Sequence, residues 1–308
     1  MIRKGEGRIV MTAPEHYEVS YSINPWMQPE AWARDPAALK LSARAQWNRL
    51  RAALEEVGLT VEVVPGEPGL PDMVFPANAA IVLDGRALLA RFRHRQRTGE
   101  EAAFRRFFEG LVTRGLLTGI AEFSPGLVQE GAGDCIWDAS RGLFWAGFGP
   151  RSDAWALSEV TDFFRQPVAG LLLATGHYYH LDTCFCPLPG GEILYYREAF
   201  AARSAGLIEE IVPAEARIAA TPDEAAAFSL NAVAVGRDLI MAPPPPRLRA
   251  ILEERGYRCR DVDLSSFMLS GGGAYCMTLR LDLLSEKKAQ AAREGDVSCS
   301  PESPAAPH

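Results

Sequence analysis

One cysteine of the sequence, Cys276, lies shortly after three consecutive glycines, Gly271–Gly273, from which Ala274 and Tyr275 separate it. Glycines let the backbone turn sharply and let a ligand approach closely. Apolar residues then alternate with polar ones at Met277, Leu279 and Leu281, and this alternation predicts a strand. A cysteine held by a glycine turn at the start of a strand is positioned as a nucleophile. Taken alone, the stretch favours a buried structural thiol, because free cysteine is among the most buried residue types.

Two further stretches supply the groups that would activate a thiol. His180 lies two residues before Asp182, so the two side chains are expected on one face of a strand, and Glu130 shares a glycine-rich turn with Asp134. An imidazole can activate a thiol, and a carboxylate on the far ring nitrogen can orient the imidazole. The remaining carboxylates exceed what a thiol protease needs, and they suit a guanidinium, which carboxylates bind through paired hydrogen bonds.

Each of these residues also has a structural explanation. Asp134 could cap a turn, Glu130 could be a solvated loop charge, and a single histidine such as His180 is more often structural than catalytic. The Gly131–Gly133 segment is too short a motif to indicate a nucleotide-binding loop. The case for function depends on where these residues fall in a repeated pattern of predicted elements.

That pattern consists of a polar residue, an apolar strand, a turn, a returning strand and, in most copies, a helix. It recurs at intervals of roughly 45–56 residues, a spacing typical of a repeated supersecondary unit, and its copies begin at Asn78, Asp134, Asp182, Asn231 and Cys276. The sequence therefore predicts an α/β fold of five ββαβ modules around a pseudo-fivefold axis, with the polar starts converging on one axial pocket. The alternative is an ordinary α/β protein, in which hairpins at comparable spacing are common. Helices are predicted over residues 36–57, 99–113, 152–164, 222–228 and 247–255, and a strand is predicted from Tyr17 to the Asn24-Pro25 pair that ends it.

Composition limits the remaining possibilities. The chain has 308 residues, 48% of them hydrophobic, and a net charge of −7, which argues against nucleic acid and favours a cationic small substrate. The six cysteines lack the paired CxxC spacing of a zinc site, so no metal or cofactor is expected. We expect the cysteines to be reduced thiols in a cytoplasmic protein. No apolar run is long enough for a membrane span. We expect a flexible extension over residues 1–10, one catalytic domain over 11–284 and a disordered tail over 285–308. The sequence allows homo-oligomers but does not predict them.

The sequence resembles the guanidino-group-modifying enzymes of the pentein superfamily, which share a five-module β/α propeller. Within that superfamily it is most similar to arginine dihydrolase-type members. The resemblance spans residues 11–284 and depends on the following stretches: Ile23–Met27, Phe75–Ala79, Phe92–His94 with Arg97 and Glu100, Glu130–Asp134, Gly149–Ser152, His180–Thr183 and Gly271–Cys276.

The resemblance implies a role for each matching residue. Cys276 would be the nucleophile, His180 the general acid and base, and Glu130 the residue that orients the imidazole. The substrate-binding residues would be Asn78, Asp182, Asn24, Arg97, Arg151, Asp134 and Gly273, with the two arginines on the substrate α-carboxylate.

Asn78 separates the possible activities. Deiminases and dimethylarginine hydrolases usually carry Asp at this position, whereas dihydrolase-type members carry Asn, whose amide can donate as well as accept hydrogen bonds. The expected reaction converts arginine to ornithine, CO2 and ammonia. The enzymatic alternatives are a deiminase or dimethylarginine hydrolase that stops at citrulline, and an amidinotransferase. The non-enzymatic alternative is a propeller-shaped binding module. A zinc protein or cysteine protease ranks well below these. The chain departs from its relatives at Ser266 and Leu269, near the glycine turn, which leaves the substrate less defined than the fold.

Overall fold

The computed structural model describes residues 7–285, and fifteen short strands lie within that range. In chain order they are β1 Gly7–Thr12, β2 Leu59–Val64, β3 Ala80–Leu83, β4 Arg86–Leu89, β5 Gly119–Glu122, β6 Cys135–Asp138, β7 Leu143–Phe148, β8 Val168–Leu172, β9 Phe185–Pro187, β10 Ile193–Tyr195, β11 Arg217–Ala219, β12 Val233–Val235, β13 Asp238–Met241, β14 Arg258–Asp261 and β15 Leu279–Arg280.

Nine α-helices connect these strands in the described part of the chain. They are α1 Pro29–Arg34, α2 Pro36–Glu56, α3 Arg95–Thr98, α4 Glu100–Thr113, α5 Ala156–Phe164, α6 Ala202–Ile211, α7 Pro222–Ala226, α8 Pro246–Glu254 and α9 Ser265–Met268. Within residues 7–285, none of the helices combines the length and the hydropathy that a membrane span requires.

The strands pair into five separate three-stranded sheets, each with the same internal order. The first strand of a sheet runs antiparallel to the second, and the third runs parallel to the second after a helical connection. The repeated ββαβ unit predicted from the sequence is therefore present in the structure. The fifth sheet joins the two ends of the described chain, because β15 pairs with β1 and β1 pairs with β2.

This fifth sheet corrects the predicted domain boundaries. Gly7–Val10, expected in a flexible extension, lie in β1 and pair with β2 along their whole length. At the other end, the backbone N–H of Ser285 donates to the Asp84 carboxylate over 2.8 Å, so Ser285 packs on the domain and not in a tail. Residues 1–6 and 286–308 lie outside the described residues.

The predicted elements differ from the structure in three places. Residues 17–27 form no strand; Tyr17 is a buried core side chain whose hydroxyl bonds Ser270, and the segment is an irregular connection. Helix α6 was not predicted, and it, rather than the short α7 found near residues 222–228, connects β10 to β11. The strand expected from Cys276 begins only at Leu279, because Tyr275–Thr278 form a turn.

The five polar residues that start the predicted modules share one position in the sheets. Each lies one to three residues before the first strand of its sheet, and all five are nearly fully buried: Asn78, Asp134, Asp182, Asn231 and Cys276. The strands that follow are strongly apolar; β3 and β6, for example, are buried at every position. The fold thus brings polar side chains to the starts of the first strands, against an apolar core.

Candidate active site

Cys276 lies at the end of the glycine turn that connects α9 to β15. Gly271 adopts φ of +82°, which side chains rarely allow, and a side chain at Gly273 would come within 2.8 Å of the side-chain oxygen Oδ1 of Asn231. The glycines therefore let the turn approach Asn231, whose amide oxygen accepts from the Cys276 backbone N–H over 3.1 Å. The glycine turn and the distant residue Asn231 together fix the position of this thiol.

The Cys276 thiol is buried between two polar side chains. Its Sγ donates to Asp182 Oδ2 over 3.0 Å and accepts from Asn231 Nδ2 over 3.1 Å. Burial, together with the Asp182 carboxylate, raises the pKa of Cys276 well above its ordinary value. Burial also raises the pKa of Asp182 to about 7, although the bonds from Cys276 and Asn231 oppose the shift. At neutral pH the free protein therefore holds a protonated thiol.

His180 forms an ion-pair-like contact with Glu130, since the His180 Nε2 and Glu130 Oε2 atoms are 2.7 Å apart. Burial tends to raise the pKa of Glu130, but Arg151 and His180 outweigh it and lower the pKa below its usual range. Burial lowers the pKa of His180 to about 4, which exceeds the opposing effect of Glu130. The imidazole is thus neutral beside an ionised carboxylate, as a general base must be.

Glu130 is itself held by several donors. Its Oε2 accepts from Arg151 Nη1 over 2.9 Å, and its Oε1 accepts from the Arg93 backbone N–H over 3.0 Å. Arg151 also donates to the Ile23 carbonyl and lies 4.8 Å from the ring centre of Tyr179. These contacts fix the carboxylate, and through it the imidazole, in one orientation.

Asn78 connects this pair to a second buried ion pair. Its Oδ1 accepts from Arg97 Nη1 over 2.8 Å, and its Nδ2 lies 3.2 Å from the Glu130 carbonyl oxygen and 3.4 Å from His180 Nδ1. The Arg97 guanidinium also donates twice to Glu100, each time over 2.8 Å. Burial raises the pKa of Glu100 to about 7 despite the opposing effect of Arg97.

A small cavity lies at the centre of these groups. Its volume open to a water-sized molecule is about 10 Å³, enough for roughly one water. The residues that line it are Ile23, Asn24, Asp72, Phe75, Asn78, Arg97, Arg151, Tyr179, Ser270 and Cys276. Five residues predicted from the sequence are among them, including both arginines. A larger ligand could enter only if part of this lining moves.

The other predicted site residues do not line this cavity. His180 and Glu130 contact it through Asn78 and Arg151, and Asp182 through Cys276. Asp134 is a positioning residue in the structure, because its carboxylate accepts from Ser152 and from the Leu181 backbone N–H. His180 precedes the 3₁₀ turn Leu181–Thr183 and Asp182 lies within it, so the two residues are not on a strand as expected.

Gly273 likewise serves the backbone of the turn and is absent from the cavity lining; Met277 donates its N–H to the Gly273 carbonyl over 3.2 Å. Asn24 does line the cavity, where it bonds the Ser270 carbonyl over 3.0 Å and the Trp26 N–H over 2.9 Å. These bonds tie the irregular segment at residues 21–27 to the glycine turn.

Two acidic groups of the site have unpaired oxygens. Asp182 Oδ1 and Asp72 Oδ1 are buried and have no hydrogen-bond partner among residues 7–285. Asp72, which was not predicted as a site residue, lines the cavity and accepts from the Tyr21 hydroxyl over 2.9 Å. Burial raises the pKa of Asp72 above its usual value. Buried acceptors without partners are costly, and a ligand with N–H donors would satisfy both.

Sequence reasoning gave no signal for Asp72, which lies in a Pro/Gly-rich stretch before Asn78 and is not itself a predicted module start. Asn231 was identified as a module start but not as a site residue, although it contacts Cys276 twice. Its position before β12, the first strand of the fourth module, was the signal that would have identified it. Within residues 7–285, no three histidine, cysteine or acidic residues are arranged to hold a metal ion.

The chain is similar to known proteins in sequence and in fold. A family model for eukaryotic N,N dimethylarginine dimethylhydrolases matches residues 22–283. The bifunctional arginine dihydrolase/ornithine cyclodeaminase ArgZ of Synechocystis sp. is 39% identical over 89% of this chain, which spans only 37% of the length of ArgZ. The N(G),N(G)-dimethylarginine dimethylaminohydrolase of Mycobacterium tuberculosis is 33% identical over 89% of this chain and 85% of its own length.

A solved structure is also similar. A variant of the N-terminal domain of ArgZ, covalently bound to a reaction intermediate, superposes with a TM-score of 0.82 at 38% identity. The match covers 90% of this chain and 98% of that domain.

Proposed function

This chain belongs to the N,N dimethylarginine dimethylhydrolase family of the pentein superfamily, and from that premise we propose that it hydrolyses the guanidino group of arginine. The reaction proposed is the dihydrolase one, which yields ornithine, CO2 and ammonia. The arginine dihydrolase activity in the name of ArgZ and the covalent intermediate on its N-terminal domain support this proposal.

The observation that carries the proposal is the pair of buried, unpaired carboxylate oxygens, Asp182 Oδ1 and Asp72 Oδ1. Arginine carries one cationic group at each end, the guanidinium and the α-ammonium, and both donate hydrogen bonds. Asp182, in contact with the thiol, suits the guanidinium, and Asp72, on the cavity wall, suits the α-ammonium. Arg97 and Arg151 line the same cavity and would face the α-carboxylate.

In the first half-reaction, the Cys276 thiol gives its proton to the neutral His180, and its sulfur forms a bond to the guanidinium carbon. A carbon–nitrogen bond then breaks, and ammonia leaves with that proton from His180. The bound cation favours ionisation of the thiol, which the free protein opposes. His180 then takes a proton from water, the water oxygen bonds to the same carbon, and the carbon–sulfur bond breaks to give citrulline.

In the second half-reaction, Cys276 attacks the ureido carbon of citrulline and a second ammonia leaves. Water then releases the thiol and gives the carbamate of ornithine, which loses CO2. Asn78 suits this step, because its amide N–H can donate to the ureido oxygen that a carboxylate would repel.

Trapping of the intermediate tests the proposal. The protein is mixed with arginine, quenched in acid during turnover and digested for mass spectrometry. We expect an adduct of arginine less ammonia on the peptide that contains Cys276. A fully unmodified Cys276 peptide during measurable arginine consumption would rule out covalent catalysis at this thiol.

A second candidate is hydrolysis of N,N-dimethylarginine, supported by the family match and by the 85% coverage of the M. tuberculosis relative. Release of dimethylamine from asymmetric dimethylarginine at a kcat/KM above that for arginine would favour this candidate. An equal or lower value would favour arginine.

We also propose that the five sheets surround one axis as a propeller and that the protein works in the reducing cytoplasm. The shared position of the five polar starts and the free, buried thiols support these proposals. An experimental structure in which successive sheets are related by a near-constant rotation is the expected result for the propeller. Fluorescence of a tagged chain outside the cytoplasm would contradict the location.

A further inference from the structure

The orientation of the Asn78 amide is decided by its neighbours. Arg97 Nη1 lies 2.8 Å from Asn78 Oδ1, and a guanidinium offers hydrogen-bond donors only. The atom that faces Arg97 must therefore be the amide oxygen. The amide nitrogen is then turned to the opposite side, where it lies 3.2 Å from the Glu130 carbonyl oxygen and 3.4 Å from His180 Nδ1.

The same chemistry decides the protonation of His180. Asn78 Nδ2 has only hydrogens to offer, so His180 Nδ1 must present its lone pair to it. On the other side of the ring, His180 Nε2 lies 2.7 Å from Glu130 Oε2, an acceptor, so Nε2 must carry the hydrogen. Two independent contacts on opposite sides of the imidazole thus require one and the same tautomer.

We propose that Asn78, held in one orientation by Arg97, is a positioning residue that keeps His180 as the neutral tautomer protonated on Nε2. The 3.4 Å contact to Nδ1 is long, so Asn78 can release this nitrogen when it must accept a proton during the reaction. An aspartate at position 78 would instead present an anionic oxygen to Nδ1 and hold the imidazole protonated on both nitrogens.

All charged groups that face His180 enter this argument. Glu130 favours the imidazolium, whereas Arg151 and Arg97 favour the neutral ring. Asp182 lies two residues along the chain and is shared with the Cys276 thiol. An Asn78→Asp substitution adds one negative charge to this set, on the side of Nδ1 and next to Arg97.

The test uses the substrate-free protein with ¹⁵N-labelled histidine. Long-range ¹H–¹⁵N spectra report the tautomer of each ring, and loss of one set of signals in His180→Gln assigns His180 among the five histidines. We expect the Nε2–H tautomer from pH 5 to pH 8 in the unsubstituted protein. A predominant Nδ1–H tautomer, or an imidazolium at pH 7, would overturn the proposal.

Two substitutions separate positioning from general effects. Asn78→Asp should move the His180 titration midpoint upward by about one pH unit or more. The matched control, Asn231→Asp, makes the same chemical change in the same site but contacts Cys276 and not His180, so its shift should be smaller. Equal shifts in the two variants would contradict the assigned role of Asn78.

The role of Arg97 is tested with its ion-pair partner removed at the same time, since a lone Glu100 would be left buried and unpaired. In Arg97→Gln/Glu100→Gln the Asn78 amide is free to turn over, and we expect both His180 tautomers in the spectra. A single, unchanged Nε2–H tautomer would show that Arg97 does not set the orientation. The catalytic role of this tautomer rests on the proposed function. Because the spectra are recorded without turnover, the tautomer assignment and the proposed function can fail independently of each other.

Discussion

The first strands of the sheets lie between two very different cavities, one at their starts and one at the turns that follow them. At the starts of the strands lies the small cavity of about 10 Å³ next to Cys276, surrounded by buried carboxylates, guanidiniums and amides. At the turn ends of β6, β9 and β12 lies a cavity of about 440 Å³, lined by mostly apolar side chains that include Trp137, Phe185 and Cys186.

The larger cavity has the volume of a typical small-molecule pocket, but its charged groups are already paired. Asp138 accepts from Arg141 and Trp145, and Arg280 donates to Asp282 through two hydrogen bonds. At the small cavity, in contrast, carboxylate oxygens are unpaired and several pKa values are shifted. The comparison teaches that unpaired, convergent charge identifies the reactive end better than volume does.

The largest expected difference between the two ends concerns their thiols. Cys276→Ser should reduce kcat by roughly 10⁴-fold or more, because the hydroxyl is a far weaker nucleophile than the thiolate. Cys186→Ser, which alters a buried thiol at the apolar cavity, should retain most of the activity. Steady-state kinetics with arginine and circular dichroism spectra of both variants make the measurement. Full activity in Cys276→Ser would break the comparison.

A second pair of variants compares carboxylates. Glu130→Gln should lower kcat by roughly 10²–10³-fold, because the amide cannot hold and stabilise the His180 imidazolium as the reaction proceeds. Asp138→Asn, at the opposite end, should leave kcat almost unchanged and lower Tm by a few degrees, since it weakens bonds to Arg141 and Trp145. Kinetics and thermal unfolding are recorded for each protein. A larger kcat loss in Asp138→Asn would reverse the assignment.

Asp72 offers a sharper test of the small cavity. Loss of a charged hydrogen bond costs about 1.5–3 kcal/mol, so Asp72→Asn should raise KM for arginine by roughly 10- to 100-fold. With 5-guanidinopentanoate, which lacks the α-ammonium group, the substitution should have little effect on KM. The two substrates are compared in wild type and variant. An equal rise in KM for both would show that Asp72 does not contact the α-ammonium.

The last prediction of this comparison concerns the pH dependence of the unsubstituted protein. A guanidinium is bound best by ionised Asp182, whose pKa is raised to about 7, so kcat/KM should rise with pH up to about 7 and then level off. Below that value the rise should be about tenfold per pH unit. His180, with its pKa lowered to about 4, adds no step between pH 5 and 8. An activity that is constant from pH 5 to 8 would exclude this role for Asp182.

Much of this organisation could be predicted from the sequence, and the failures have physical causes. The module starts were visible because a polar residue before an apolar strand is a local pattern, and Asn78 and Cys276 were located in this way. Asp72 was missed because its importance depends on an unpaired oxygen, which only the packed structure reveals. The Asp134 carboxylate was assigned to the substrate because sequence does not show that Ser152 and a backbone N–H already satisfy it.

The extent of the reaction tests the central claim most directly. Wild-type protein is incubated with a known amount of arginine until it is consumed, and ornithine, citrulline and ammonia are measured. The account predicts one ornithine and two ammonia molecules per arginine, with citrulline appearing only transiently, and a shift toward citrulline in Asn78→Asp. One citrulline and one ammonia per arginine, with no ornithine at any time, would contradict it.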